Sequence, residues 1–493
     1  MSFAVLVGRA SGFVRESFVA ATYGVGQSAD LAVLILTVPD LLVNILVGGA
    51  LSVALIPEFK RLSPSEGVSL FLQSSIMIGG VFLLLAAFLM IFSQQLIHLV
   101  APGFSPDTAS RAADVIKYVL WVIPLTALAG VSTAYLQAHE RFTAPAFGTL
   151  IFNIVVIVGL FFFVSDEDSL RLLCGFVILG GLLRWFSQLV CLPRSYLRSG
   201  SFRPSLISHP LLIHYCQALG AGSLLLLFPV VARAMASFND EGALATFNYA
   251  TKLVEFPLGV SITLLAVLLF PRLAEGFAKD SSSIESKKIL HEGVTIVLIL
   301  SFSMMISMAW FSADLSRLAF GWGKMSKEAV NSIGVLAAIG FLSLPAQGVS
   351  SLVVAAFNAK RDTATPFYIN IGAIMCFLPA SWLAGHAYGL PGLMAAMTAS
   401  YWIIMVLHIV VLRARHNISI GSALLNLGVV KIILASLIVF SPIAALSAMS
   451  DQGRLGNVIW AGVGVVLLMI SGIMATTTYR AFIFDIIKKR SHD

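Results

Sequence analysis

The sequence predicts an all-α polytopic membrane protein of about 14 transmembrane helices, arranged as two parallel six-helix lobes plus two C-terminal helices. Three observations carry that expectation. The 493 residues are 58% hydrophobic and only 11% charged, with mean hydropathy +0.94. Apolar runs of about 20 residues, the length that crosses about 30 Å of hydrocarbon, recur from end to end. The chain also repeats itself at an offset near 220 residues, as set out below.

Other classes fit poorly. An outer-membrane barrel would alternate apolar and polar residues along short strands, and that pattern is absent. The net charge of +7 suits cation-rich loops on one membrane face, so no nucleic-acid partner is expected. Cys174, Cys191, Cys216 and Cys376 stand in apolar context without CxxC spacing and read as small buried hydrophobes. Met1 leads into the first span without a basic n-region or a cleavage motif, so a retained helix is expected there.

Hydrophobic runs between short charged loops place spans near 2–24, 29–56, 68–100, 112–137, 145–164, 170–192, 209–237, 242–270, 289–311, 329–356, 366–385, 391–412, 423–448 and 456–479. With the N-terminus inside, the inward loops carry Lys60, Arg61, Arg194, Arg198, Arg203, Arg272, Lys279, Lys287, Lys288, Lys360, Arg361, Arg413 and Arg415. Outward loops hold the acidic Asp166-Glu167-Asp168 and Asp240-Glu241. This asymmetry predicts a multi-pass protein of the cytoplasmic (inner) membrane with both termini cytoplasmic.

The internal repeat fixes the domain plan. LQAHERFTAPAF (Leu136–Phe147) aligns with FNAKRDTATPFY (Phe357–Tyr368), and Pro145 meets Pro366 at an offset of 221 (366 − 145). Pro39 and Pro257 are 218 apart, and at that offset Arg15 falls on Arg233 and Asp30 on Asn248. An even number of helices per repeat preserves topology, so two parallel halves with a cleft between them are expected. The division is residues 1–205, 206–420 and, for the two helices without a counterpart and a basic tail, 421–493.

Charges inside apolar spans mark candidate function, because each costs roughly 2.5–3.5 kcal/mol at a bilayer centre. The first span carries Arg9 and Arg15, about 9 Å apart in rise and about 120° in azimuth, too far apart for a two-point clamp. Both suit the wall of one wide wet cavity. Alternatively Arg9 snorkels to the headgroups and Arg15 pairs with Glu16 or Asp30. Gly8 and Gly12 permit close approach of a neighbouring helix. In the second half, Lys252 and Glu255 lie three apart, either as a local ion pair or as a cation offered to the cleft and held by Glu255 while empty. Pro39 and Pro257 interrupt helix hydrogen bonds and either bend their helices around the cleft or serve as hinges. Arg233 is a further cavity candidate as the repeat mate of Arg15. Lys117 is another basic residue in or near a span, and Arg184 and Lys431 are expected near helix ends. Asn44, Asn153, Asn370 and Gln347 suit interhelical hydrogen bonding.

No HExxH, GxSxG or Walker A sequence is present, and no sizeable outer loop carries paired carboxylates. The expectation is therefore a transporter rather than an enzyme, with no metal and no cofactor. Its drive would be a gradient, such as the membrane potential or a monovalent cation, or downstream consumption of the substrate.

Three stretches, GRASGFVRESFVAATYGVGQSAD, VPDLLVNILVGGALSVALIPEF and YATKLVEFPLGV followed by LLFPRLAE, resemble the MurJ/MviN family of lipid II flippases. That family lies within the multidrug/oligosaccharidyl-lipid/polysaccharide exporter superfamily. The resemblance runs over nearly the whole chain. It implies alternating access between two lobes, with helices 13 and 14 grooved for a polyprenyl tail. It implies transport of an undecaprenyl-pyrophosphate-linked peptidoglycan precursor to the outer leaflet by a monomer. Arg9 and Arg15 match the arginines of the family's first helix, Asp30 its helix 2 aspartate and Glu255 the glutamate of its EFP motif. Lys252 stands in place of an arginine. The implied pyrophosphate ligands are Arg9, Arg15 and Lys252, and Asp30 and Glu255 are implied cavity or gating groups; Asn44 and Arg233 are expected beside them as cavity or gating polar residues.

The chain departs from the family where PDLLVNILVGGALS replaces PNLLRRLFAEGAFS. Val43 and Asn44 stand for an arginine pair and Gly48 for a glutamate. Ala232 stands where many members carry an acid. These changes suit another polyprenyl-linked saccharide, an exopolysaccharide or O-antigen unit, as the alternative cargo. A cation-coupled drug exporter is a further alternative that the net basic spans disfavour.

Overall fold

A computed structural model describes residues 2–46, 50–162, 169–192, 227–259, 284–360, 362–420 and 453–475. Among them the regular structure is entirely helical. The first helices are α1 (Ser2–Tyr23), α2 (Gln27–Leu46), α3 (Ala50–Arg61), α4 (Pro64–Ile91), α5 (Ser93–Val100) and α6 (Pro106–Val119). Then come α7 (Val122–Ala138), α8 (Thr143–Phe162), α9 (Ser169–Val190), α10 (Leu227–Ala236) and α11 (Ala243–Pro257). The remainder are α12 (Ile284–Trp310), α13 (Ser312–Phe320), α14 (Lys327–Phe341), α15 (Leu344–Ala359), α16 (Ala364–His416) and α17 (Gly453–Ala475).

The described helices make a multi-pass membrane protein. Five are long and apolar enough to cross, or up to seven if each of two bent pairs is one span. The expected fourteen are not reached among the described residues. The expected boundary near 205, the span 423–448, the cation-rich loop at 194–203, Asp166–Asp168, Gly48, Lys431 and LFPRLAEG lie outside them.

Helices α4 to α8 and α12 to α16 follow one pattern. A long helix is followed by a short one (Ser93–Val100, Ser312–Phe320), a bent pair and a further span. The short helices start 219 residues apart (312 − 93) and the spans after the bent pairs 221 apart (364 − 143). The bent pairs were expected as single spans, near 112–137 and 329–356. They break by 42° between α6 and α7 and by 46° between α14 and α15. Pro124 and Pro345 stand just after these breaks, where a ring without an N–H cannot continue the preceding hydrogen-bond ladder. The expected spans 366–385 and 391–412 meet at Gly389, whose φ of 60° and ψ of −148° no helix accepts.

The fold divides into two compact units: Met1–Tyr249 with Trp322–Ser326, and Ala250–Gly321 with Lys327–Asp493. In the first, α1 lies on α8, α8 on α9, and α7 packs among α3, α4 and α9. Gly8 and Gly12 of α1 face Thr149 and Asn153 of α8, each 3.7 Å from where a Cβ would stand. In the second unit α12 packs on α14, α15 and α17, and α15 packs on α16. Cys174 is buried as expected, but Cys191 and Cys376 are exposed. A membrane helix turns apolar faces outward to lipid, so apolar context does not imply burial.

Trp322–Ser326 belongs to the first unit through contacts with α1. The Trp322 ring packs edge-on against Phe18, with centroids 4.8 Å apart. The Lys324 N–H donates to the Ala21 carbonyl at 2.7 Å. Gly323 has φ +67°, and a Cβ there would run into the Ala21 carbonyl oxygen. Gly323→Ala is therefore expected to destabilise the detergent-solubilised protein by about 1–3 kcal/mol, read as a lowered Tm.

In the second unit Asp362 clasps both ends of α16. Its carboxylate accepts from the Thr365 N–H at 3.1 Å and from His416 Nε2 at 2.8 Å, with Arg415 Nε at 3.4 Å. Burial works to raise the Asp362 pKa, but the His416 and Thr365 hydrogen bonds and the Arg415 charge outweigh it and hold it below the usual carboxylate range. A depressed carboxyl stabilises the fold above its unfolded pKa of about 3.9 and loses that contribution as pH falls through the folded value. Asp362→Asn is thus expected to lower stability at pH 7 by about 1 kcal/mol, solvent screening included. The gap to the parent protein closes as pH falls through the depressed folded value.

Candidate functional site

Several charged residues of the first unit meet at α1. Arg15 is 8% exposed and Glu16 only 2%, on a predominantly apolar helix. Arg15 Nη2 donates to Glu16 Oε1 at 2.7 Å, while Nη1 donates to Asn153 Oδ1 of α8 at 3.4 Å. Asn153 in turn donates to Ser11 Oγ at 2.9 Å and to the Gly8 carbonyl at 3.4 Å. The guanidinium lies 5.6 Å from the centre of the Phe152 ring. Asp40 of α2 stands 3.7 Å from Arg15 Nη2, with its side chain 51% exposed. Arg15 Nε is buried and has no hydrogen-bond partner.

Glu16 connects this group to the end of the unit. Its Oε2 accepts from Asn248 Nδ2 at 3.3 Å, and Asn248 Oδ1 accepts from Arg233 Nη1 at 3.0 Å. Arg233 Nε also donates to the Pro229 carbonyl at 3.0 Å. Arg233 borders a cavity of ≈ 20 Å³, about the room of one water, lined by Leu34, Thr37, Val38 and Leu244 among others. The repeat mates Arg15 and Arg233 are thereby joined through Glu16 and Asn248. A stranded charge among these partners would cost several kcal/mol, so the chain holds together as a unit.

Asp30 does not join it. It is 3% exposed and caps α11: Oδ2 accepts from the Gly242 N–H at 2.8 Å and Oδ1 from the Ala245 N–H at 2.7 Å. These are donors that the first turn of a helix leaves without intrahelical partners, and a carboxylate there also meets the positive end of the helix dipole. The alternative pairing of Arg15 with Asp30 is therefore replaced by pairing with Glu16 and Asp40.

Among the other sequence-predicted residues, Arg9 is exposed on α1, about two turns before Arg15. In the second unit Lys252 Nζ pairs with Glu255 Oε2 at 2.8 Å, the two side chains 28% and 38% exposed. Pro39 is buried within α2, which continues through it to Leu46, and Pro257 is buried at the end of α11. Asn44 lies on α2, with its side chain outside the described set. Sequence reasoning missed two groups. Asp40 was not singled out, although it is the one carboxylate in the PDLLVNIL run. Arg184 was expected near a helix end. It lies six residues inside α9, part-buried, with a buried Nε that has no hydrogen-bond partner and Asp40 within electrostatic reach. The signal was available: an arginine inside GLLRWFSQLV that no nearby acid in α9 can neutralise.

A bundle of bent apolar helices enclosing a hydrogen-bonded cationic network is the architecture of a polytopic transporter. Solved structures share the fold. One described as "Lipid II flippase MurJ, inward closed conformation" superposes with a TM-score of 0.81 at 20% identity, covering 98% of this chain and 99% of that one. An inward-facing multidrug resistance MATE family transporter of the MOP superfamily gives 0.69 at 13% identity, over 85% and 95%. The family model "Lipid II flippase MurJ" matches residues 19–468, and the chain belongs to that family. A probable lipid II flippase MurJ of Buchnera aphidicola subsp. Acyrthosiphon pisum (strain APS) is 28% identical over 338 residues, 66% of this chain. The match spans 65% of that relative's length. The lipid II flippase MurJ of Burkholderia cenocepacia is 24% identical over 402 residues, 78% of this chain and 77% of that one. A probable lipid II flippase MurJ of Thermotoga maritima is 24% identical over 474 residues, 95% and 94%.

Proposed function

We propose that this chain moves lipid II from the inner to the outer leaflet of the cytoplasmic membrane by alternating access, with both termini in the cytoplasm. The observation that carries the reading is the buried Arg15 guanidinium, whose Nε lacks a partner although its two terminal nitrogens are hydrogen-bonded. A diphosphate has oxygens to spare for that donor, and charge-assisted hydrogen bonds to phosphate are strong in a restricted dielectric. The polyprenyl tail stays in lipid while the polar head passes inside the protein. Arg9 and Lys252 are further cations for the headgroup, and Glu255 holds Lys252 when the site is empty. Pro39 and Pro257 are the hinges, and Asp30, Asn44 and Arg233 are gating groups. The drive is the membrane potential or a monovalent cation gradient. The family and its relatives name lipid II, and no drug or other polyprenyl-linked saccharide.

The test is re-expression in cells depleted of their own lipid II flippase, reading labelled lipid II accessible from outside. Restored accessibility is expected. A protein that reaches the membrane and restores none contradicts the proposal.

A further inference from the structure

Two anions flank Arg15, and they are held differently. Glu16 is 2.7 Å from Nη2 with 2% of its side chain exposed, so it is a fixed part of the fold. Asp40 approaches the same nitrogen only to 3.7 Å and keeps half its side chain exposed, the geometry of a pair that contributes little and opens easily. Arg184 reaches the same carboxylate electrostatically from α9. On these two arginines the buried donors Arg15 Nε and Arg184 Nε have no hydrogen-bond partner. Arg15 thus pairs loosely with an exposed carboxylate that Arg184, on the helix α9 packed against α2, reaches electrostatically, and each arginine keeps a donor without a partner.

We infer that Asp40 is the resident anion of an Arg15–Arg184 site, and that the substrate's diphosphate displaces it. This deepens the proposed function and rests on it. It adds Arg184 as a second diphosphate ligand and Asp40 as the residue that limits how tightly the headgroup is held. A diphosphate has more acceptor oxygens and more charge than a carboxylate, so it engages the orphan donors that Asp40 leaves empty. When it departs, Asp40 swings back and supplies the counter-charge. The arginines never face an apolar surround alone, and the head is not retained so strongly that release stalls. Tight binding on entry and ready release after the flip are opposed demands, and a competing internal carboxylate moderates the first to allow the second.

The inference separates Asp40 from a merely structural acid by the sign of its effect. Removing a structural partner of a buried arginine weakens a site; removing a competitor strengthens it. The experiment measures retention of lipid II, and of the uncharged undecaprenol as control, by the purified full chain in nanodiscs using native mass spectrometry. Asp40→Asn, which keeps shape and removes charge, is expected to bind lipid II about tenfold more tightly and to flip it more slowly. Undecaprenol binding is expected to stay the same. Asp40→Ala should act in the same direction and guards against an effect peculiar to the amide. Arg184→Gln in the Asp40→Asn background should abolish the gain. If the parent protein retains lipid II no better than undecaprenol, the lipid II reading itself fails. If it discriminates but Asp40→Asn and Asp40→Ala bind lipid II equally or more weakly, displacement of Asp40 is overturned while that reading stands. A gain that survives Arg184→Gln removes Arg184 from the site.

Discussion

Arg15→Ala is expected to abolish lipid II transport and also to destabilise the protein. The second effect follows from Glu16, which is 2% exposed and would be left as a buried carboxylate without its cation. Breaking a buried pair on one side costs about 3–5 kcal/mol. Loss of transport by the single variant alone is therefore ambiguous. Adding Glu16→Gln separates the two effects. The double variant removes the stranded charge and keeps a side chain whose oxygen still accepts from Asn248. It is expected to recover most of the lost Tm and membrane level, yet to leave transport at background in depleted cells. Recovery of transport along with stability would show that Arg15 serves the fold alone.

Asp30→Asn is expected to give the second large effect, through the helix it caps. Both carboxylate oxygens accept backbone N–H donors, from Gly242 and Ala245. An amide presents one acceptor oxygen and one NH2 group, so one of these donors loses its partner and meets another donor instead. The cost is about 1–3 kcal/mol for a buried group. The helix that begins there, Ala243–Pro257, carries Asn248 one turn in and Lys252 one turn further, so a loosened start shifts two polar groups on one element. Transport is expected to fall severalfold more than the loss of protein from the membrane explains. Hydrogen exchange at Gly242–Thr246 should rise in the variant. Unchanged protection there would separate Asp30 from the helix start.

The fold was legible in the sequence to the extent that its physics is one-dimensional. Apolar run length reported the spans, and the alignment of Pro145 with Pro366 anticipated helices that start 221 residues apart (364 − 143). The breaks before Pro124 and Pro345 were passed over because hydropathy runs straight through them, while the interrupted hydrogen-bond ladder does not. Exposure of Cys191 and Cys376 was missed for a related reason: in a membrane, apolar surroundings in sequence say nothing of which face meets lipid.

The candidate site was half legible. An arginine within an apolar run is costly wherever it lies, so Arg15 could be singled out without knowing its neighbours, and Glu16 beside it was an obvious partner. What the sequence withheld was partnership across long separations. Asn153 lies 138 residues from Arg15 and Asn248 lies 232 from Glu16. Asp30 finds its donors 212 and 215 residues away, on backbone groups that no motif can mark. Asp40 stood out only when α2 was seen to bring it to Arg15, and Arg184 only when α9, packed on α2, was seen to hold it within electrostatic reach of Asp40. The Lys252–Glu255 pair, three residues apart on one helix, needed no such help.

The central claim is that the charge on Arg15 receives the diphosphate of the substrate. It is tested most directly by comparing retention of lipid II and of undecaprenol on the parent protein and on the Arg15→Ala/Glu16→Gln variant, both folded and embedded in nanodiscs. The account predicts a loss of at least about tenfold in lipid II retention, worth about 1.4 kcal/mol, with undecaprenol unaffected. Equal retention of lipid II by the two proteins would contradict it.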